Sequence, residues 1–181
     1  MLPCCNILSG YKMFLLLRLA DAISIITRIC AALATAVLLA MIVLVFYNVI
    51  GRYIIGGSPI WMQELEWHLM VPVALIGVSV LILEQGHVRV DMVYGKFPEK
   101  VRHFIDFLSM LCGAAIAVLF IKYSQGFLES SWSVYEGSPD PGGMPGRYIL
   151  KTVMPVCFAL LALQCIANAI RHLADFLETQ K

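Results

Sequence analysis

Four long apolar runs, almost free of charge, constrain this chain more than any other feature of its sequence. Residues 29–51, 67–83 and 152–170 contain no Lys, Arg, Asp or Glu, and residues 107–128 contain only Lys122. A bilayer core takes about 20 apolar residues per helix, and lipid offers no partner to an unpaired backbone amide. The runs therefore predict an all-α, polytopic membrane protein with four transmembrane helices, at roughly residues 29–51, 67–84, 105–125 and 152–171. Those spans take nearly half of the 181 residues, which predicts one membrane domain over 1–181. Composition agrees: 60% of residues are hydrophobic and 14% charged, well outside the soluble range. A net charge of +1 leaves no electrostatic footprint for nucleic acid.

Basic residues in short loops orient such a chain. Lys12, Arg18, Arg28, Arg89, Lys96, Lys100, Arg102, Arg171 and Lys181 fall on one side, and Arg52, Lys122, Arg147 and Lys151 on the other. Nine against four predicts cytoplasmic N- and C-termini. Residues 52–66 and roughly 123–151 then face the outside, or the periplasm of a Gram-negative cell.

Ahead of the first span, Arg18, Asp21, Ser24 and Arg28 recur at helical spacing, with Leu15, Leu19, Ala22, Ile25 and Ile26 largely opposite. This predicts an N-terminal amphipathic helix over 14–28, either lying in the membrane interface or extending the first span into the cytoplasm. No secretory signal is expected, because the apolar stretch runs on into a full span. Met13 offers an alternative start. Small residues at four-residue spacing, Ala32, Ala36 and Ala40 in span one and Gly113 and Ala117 in span three, would allow close helix approach. Pro72 and Pro155 are placed near the starts of spans two and four, where a missing amide donor costs least. Pro98 is expected to open the helix of span three.

Transport chemistry in a bilayer places ionisable groups near the midplane. Span one has none between Arg28 and Arg52, span two none between His68 and Glu84, and span four none between Lys151 and Arg171. Lys122 is near enough to the membrane surface to snorkel. Gln164 and Asn168, one turn apart, are expected to join helices by hydrogen bonds. Haem would require histidines paired at one depth. His68 and His87 are 19 residues apart, about 28 Å along a helix, while His87, His103 and His172 fall at the inner surface. Cys30, Cys112, Cys157 and Cys165 sit in apolar runs as small hydrophobes. The chain is thus not expected to be an enzyme, and no catalytic residue, cofactor or metal site is expected.

The ends of span two are richer. Asn48-Val-Ile-Gly-Arg-Tyr53 and Pro59-Ile-Trp-Met-Gln-Glu-Leu-Glu-Trp-His68 set Arg52, Glu64 and Glu66 beside Trp61 and Trp67. Glu84-Gln-Gly-His-Val-Arg-Val-Asp91 alternates His87, Arg89 and Asp91 with valines. An aromatic belt accounts for the tryptophans, but not for opposite charges gathered at both ends of one span.

These segments resemble a family. Gly51-Arg-Tyr53, Trp61 followed by Glu64, Gly86-His-Val-Arg-Val-Asp91, Gly142-Gly-Met-Pro145 and Met154-Pro-Val-Cys-Phe-Ala-Leu-Leu-Ala-Leu-Gln164 are similar, in order, to the small four-span membrane subunit of TRAP (tripartite ATP-independent periplasmic) transporters. The resemblance covers about residues 15–175. It implies a sodium-coupled organic-acid uptake system in the bacterial inner membrane. This chain would scaffold a large polytopic TRAP membrane subunit, which carries the substrate and sodium sites, and help dock a periplasmic substrate-binding protein. On that implication Arg52, Glu64 and Glu66 would pair with one another or meet those partners, with Trp61 a further docking or anchoring residue. His87, Arg89 and Asp91 would anchor the inner end of span two against phospholipid or the large subunit, and the 14–28 helix would resist tilting. Specificity would reside in another chain, so this sequence does not name the substrate. The alternative is a membrane anchor of a redox enzyme, resembling a b-type cytochrome, which predicts bound haem.

Overall fold

The structure is a computed structural model that describes residues 4–84 and 98–178. Those residues form four long helices, α1 (Cys4–Ile50), α2 (Ile60–Leu83), α3 (Glu99–Ser133) and α4 (Arg147–Glu178), with a short π-helical turn, Gly51–Ile55, ending α1. Each helix is long and apolar enough to cross a membrane. No strand occurs among the described residues. His87, Arg89 and Asp91 lie outside the described residues.

Local chemistry sets the ends. Gly56, at φ 79°, terminates the π turn in the left-handed region, and its N–H returns to the Gly51 carbonyl; a residue without Cβ adopts that conformation at no steric cost. Pro59 precedes α2 and Pro98 precedes α3 in extended conformation, so neither needs an amide donor. Because α2 begins at Ile60 and α4 at Arg147, Pro72 and Pro155 lie inside their helices, not near the starts as expected from the apolar runs. The helices begin before the apolar composition does.

α1 settles the two alternatives for residues 14–28. It is one unbroken helix of 47 residues, roughly 70 Å long at 1.5 Å per residue, more than twice a bilayer core of about 30 Å. The 14–28 segment is the extension of the first helix. Its buried positions Ala20, Ser24, Thr27, Ala34 and Asn48 follow a 3.5-residue repeat, the seam that keeps one face on a neighbour along a left-handed crossing.

α4 is the hub. It packs on α1, α2 and α3, whereas α3 packs chiefly on α4. The core cluster of Ile82, Met110, Ala114, Cys165 and Ala169 joins α2, α3 and α4. Small residues make that approach possible: Ala117 is fully buried, and a Cβ on Gly113 would stand 3.2 Å from the Cys165 sulfur. Within this chain the α1 alanines make no such approach: Ala32, Ala36 and Ala40 are exposed, and Ala34 faces inward instead. Along α1, Leu33, Leu39, Val43 and Phe46 are also exposed, so this helix offers most of its apolar surface to lipid or to another chain.

Candidate functional site

Two polar clusters, one at each end of the bundle, hold most of the side-chain hydrogen bonds between elements. The first is built on Glu64, one turn into α2 and only 4% exposed. Its carboxylate accepts from Arg147 at 3.0 Å, from the Met144 backbone N–H at 2.5 Å and from the Ser138 hydroxyl. Arg147 opens α4 and also lies 5.1 Å over the Trp67 ring, so one guanidinium both pairs and stacks. The loop between α3 and α4 thereby folds back onto α2. Its own bonds shape it: Ser138 N–H donates to the Met144 carbonyl at 3.2 Å, and Gly143 N–H to the Asp140 carbonyl at 3.0 Å. A Cβ on Gly143 would stand 2.9 Å from Glu64 Oε2 and 2.5 Å from the Ser138 Cβ. Only glycine fits there without moving backbone or carboxylate.

Beside this cap, Asn48 of α1 donates to Glu66 at 2.6 Å and accepts from Ser58. A cleft of about 190 Å³ opens here, lined by Asn48, Arg52, Tyr53, Gln63 and Glu66. Arg52 and Trp61 are exposed. Farther along the loop, Glu136 accepts from Lys151 and from Ser131 at 2.6 Å. The Lys151 bond, then the Ser131 bond, hold its carboxyl below the ordinary carboxylate range, against a smaller opposing effect of desolvation.

The opposite end joins α1, α2 and α4. Thr27 donates to Gln164 at 2.8 Å, Gln164 to Asn168 at 3.1 Å, and Asn168 to the Ile82 backbone carbonyl at 2.7 Å. Gln164 and Asn168 are 0% and 1% exposed. Arg171 continues the chain, reaching Ser24 at 2.8 Å and Asp21 at 3.0 Å on the extension of α1. At this end His103 and His172 also approach, with ring centroids 6.2 Å apart.

Of the residues singled out in the sequence, Arg52 and Glu66 are brought to one cleft, whereas Glu64 is drawn away from them. Its cationic partner is Arg147, 83 residues on, and its burial under the loop takes it off the surface available to a partner. Arg147, Ser138 and Met144 escaped sequence reasoning because their partner is distant in the chain; the Gly142-Gly-Met-Pro145 run was the available signal. Gln164 and Asn168 join helices as expected; their partners Thr27 and Arg171 are set by the fold and not by any local pattern.

Among the described residues, the buried titratable side chains of this constellation, Glu64 and His172, stand at opposite ends. Apart from the two end clusters, the buried polar or thiol side chains of the described residues include Ser79, Cys157 and Cys165, among aliphatic neighbours. Such an interior can join helices and hold depth.

Residues 41–175 match the family model for the DctQ component of tripartite ATP-independent periplasmic transporters. The sialic acid TRAP transporter permease protein SiaT of Haemophilus influenzae is 28% identical over 120 residues, 66% of this chain and 19% of that protein. The isethionate TRAP transporter permease protein DctMQ of Oleidesulfovibrio alaskensis is 25% identical over 130 residues, 69% of this chain and 20% of its own length. The C4-dicarboxylate TRAP transporter small permease protein DctQ of Vibrio cholerae is 26% identical over 107 residues, 56% of this chain and 46% of its own length. The chain thus spans about a fifth of the first two relatives and about half of the third. All three are transporter permease proteins, not enzymes, and a redox-enzyme anchor finds no support among them.

Proposed function

This chain belongs to the DctQ-component family of TRAP transporters, and from that membership we propose that it is the small permease subunit of a sodium-coupled organic-acid uptake system. In this reading it scaffolds a large polytopic membrane subunit that carries substrate and sodium. The observation that carries the reading is the interior: among the described residues, polar groups buried between the two ends are engaged in joining helices or stand singly, as Ser79 does. Two further observations support it. The exposed apolar length of α1 suits a helix that packs on a second membrane protein. In SiaT and DctMQ the matched region is a fifth of one longer chain, as expected if this unit works joined to a larger one.

The nine-to-four distribution of basic residues supports a bacterial inner-membrane protein with cytoplasmic termini. The Glu64 end is then periplasmic. There Glu64, Arg147 and the loop at 138–147 form a hydrogen-bonded platform. Arg52, Trp61 and the Glu66 cleft form the part of it open to a substrate-binding protein. At the cytoplasmic end the extension of α1, held by Arg171, would fix the depth of the scaffold against phospholipid headgroups, with His87, Arg89 and Asp91 as further anchors at the end of α2.

Reconstitution tests this. Liposomes containing this chain alone should take up no organic acid, and adding its large membrane subunit with the binding protein should produce sodium-dependent uptake. Sodium-dependent uptake by this chain alone would overturn the proposal.

A further inference from the structure

His103 and His172 meet at the end of the bundle opposite Glu64, and their neighbourhood is chemically unlike the rest of the interior. α3 and α4 are joined by the loop after Ser133 and pack along each other, so the first turns of α3 meet the last turns of α4. His103 comes from the former. His172 and Asp175, three residues apart on the latter, share one helix face. One ligand atom from each of His103, His172 and Asp175 lies within 4.8 Å of the other two. His172 is buried, His103 half-buried and Asp175 exposed. The Nδ1 of His103 is buried with no hydrogen-bond partner among the described residues, although a buried polar atom is ordinarily satisfied.

We propose that His103, His172 and Asp175 form a three-ligand site for a borderline divalent transition-metal ion, Zn²⁺ foremost, that clips the end of α3 to the end of α4. Two imidazoles and one carboxylate are the donor set such ions take, with water in the fourth position. Calcium and magnesium require oxygen-rich sets. Ligand atoms around tetrahedral Zn²⁺ stand roughly 3.4 Å apart, given bond lengths of about 2.0–2.1 Å, so side-chain rotation of about 1 Å closes the triangle. The exposed Asp175 carboxylate leaves the ion a route from solvent. The site is far from the Glu64 cap and does not depend on what the complex transports.

The test uses the full chain, extracted with an affinity tag that contains no histidine, and Zn²⁺ alone as the probe. Competition with a chromophoric chelator should show one saturable Zn²⁺ per chain. Affinity should fall at least tenfold in Asp175→Asn and in His103→Gln and stay unchanged after alkylation of the cysteines. Circular dichroism checks the helix content of both variants. Co²⁺ in the unsubstituted chain gives a reading that needs no variant: visible ligand-field bands without a thiolate charge-transfer band. The proposal is overturned if the chain binds no Zn²⁺ saturably, if both variants bind as the unsubstituted chain does, or if binding disappears on alkylation.

Discussion

Gly143 carries more constraint than its size suggests. Its missing Cβ leaves room for Ser138 and for Glu64 Oε2, which lets the loop close over a buried carboxylate. Gly143→Ala should destabilise the protein by about 2 kcal/mol, as overpacking does, and thermal unfolding in detergent measures it. The same variant should make the bonds at residues 138–144 more accessible to limited proteolysis. Arg147→Lys should lower the melting temperature as well, since an ammonium cannot pair with Glu64 in plane and stack on Trp67 as the guanidinium does. Glu136 makes a prediction about pH. Its carboxyl is depressed by Lys151 and Ser131, so its contribution is complete above the ordinary carboxylate pKa and is lost as pH falls through the depressed folded value. In Glu136→Gln the acid limb of the stability profile should flatten by that contribution; an identical acid limb would show that the pair contributes nothing. Half of this was legible in the sequence. Glu64 stood out as a charge beside an apolar run, but its burial depends on a cation 83 residues away, and no local pattern announces such a pairing.

At the scale of helices, polar side chains in hydrocarbon are readable because they must find partners. Gln164 and Asn168, one turn apart in an uncharged run, imply hydrogen bonds between helices, and they make them. The partners, Thr27 and the Ile82 carbonyl, depend on which helix neighbours α4, and four similar apolar helices do not reveal their arrangement by composition. The same degeneracy explains the alanines. Gly113 and Ala117 lie at a helix contact whereas Ala32, Ala36 and Ala40 are exposed, because small residues serve lipid-facing and buried positions alike. A double-mutant cycle on Thr27→Val and Gln164→Leu should return a coupling of about 0.6 kcal/mol, the average for hydrogen bonds between membrane helices, and no more than about 1.7. A coupling indistinguishable from zero would remove this bond from the forces holding α1 on α4. The continuity of α1 through residues 14–28 could not be decided from the sequence, because an amphipathic stretch without a breaker suits both a bent interfacial helix and a straight extension. Arg171, bonded to Ser24 and Asp21, supplies a long-range contact that holds the extension against α4.

For the whole molecule, the four-helix membrane architecture follows from nearly charge-free runs alone, whereas the role does not, because four apolar helices suit many membrane proteins. The orientation can be checked directly. Asp140→Cys, in the exposed loop over Glu64, should be labelled by a membrane-impermeant maleimide from the periplasmic side, beyond the labelling of the unsubstituted chain; labelling from the cytoplasmic side alone would invert the topology. The central claim is that this chain is one part of a larger membrane assembly. Gentle affinity purification from native membranes, with identification of what co-purifies stoichiometrically, tests it most directly. The account predicts a much larger polytopic membrane protein at a fixed ratio to this chain. Recovery of this chain alone, or with a soluble dehydrogenase in place of that protein, would contradict it.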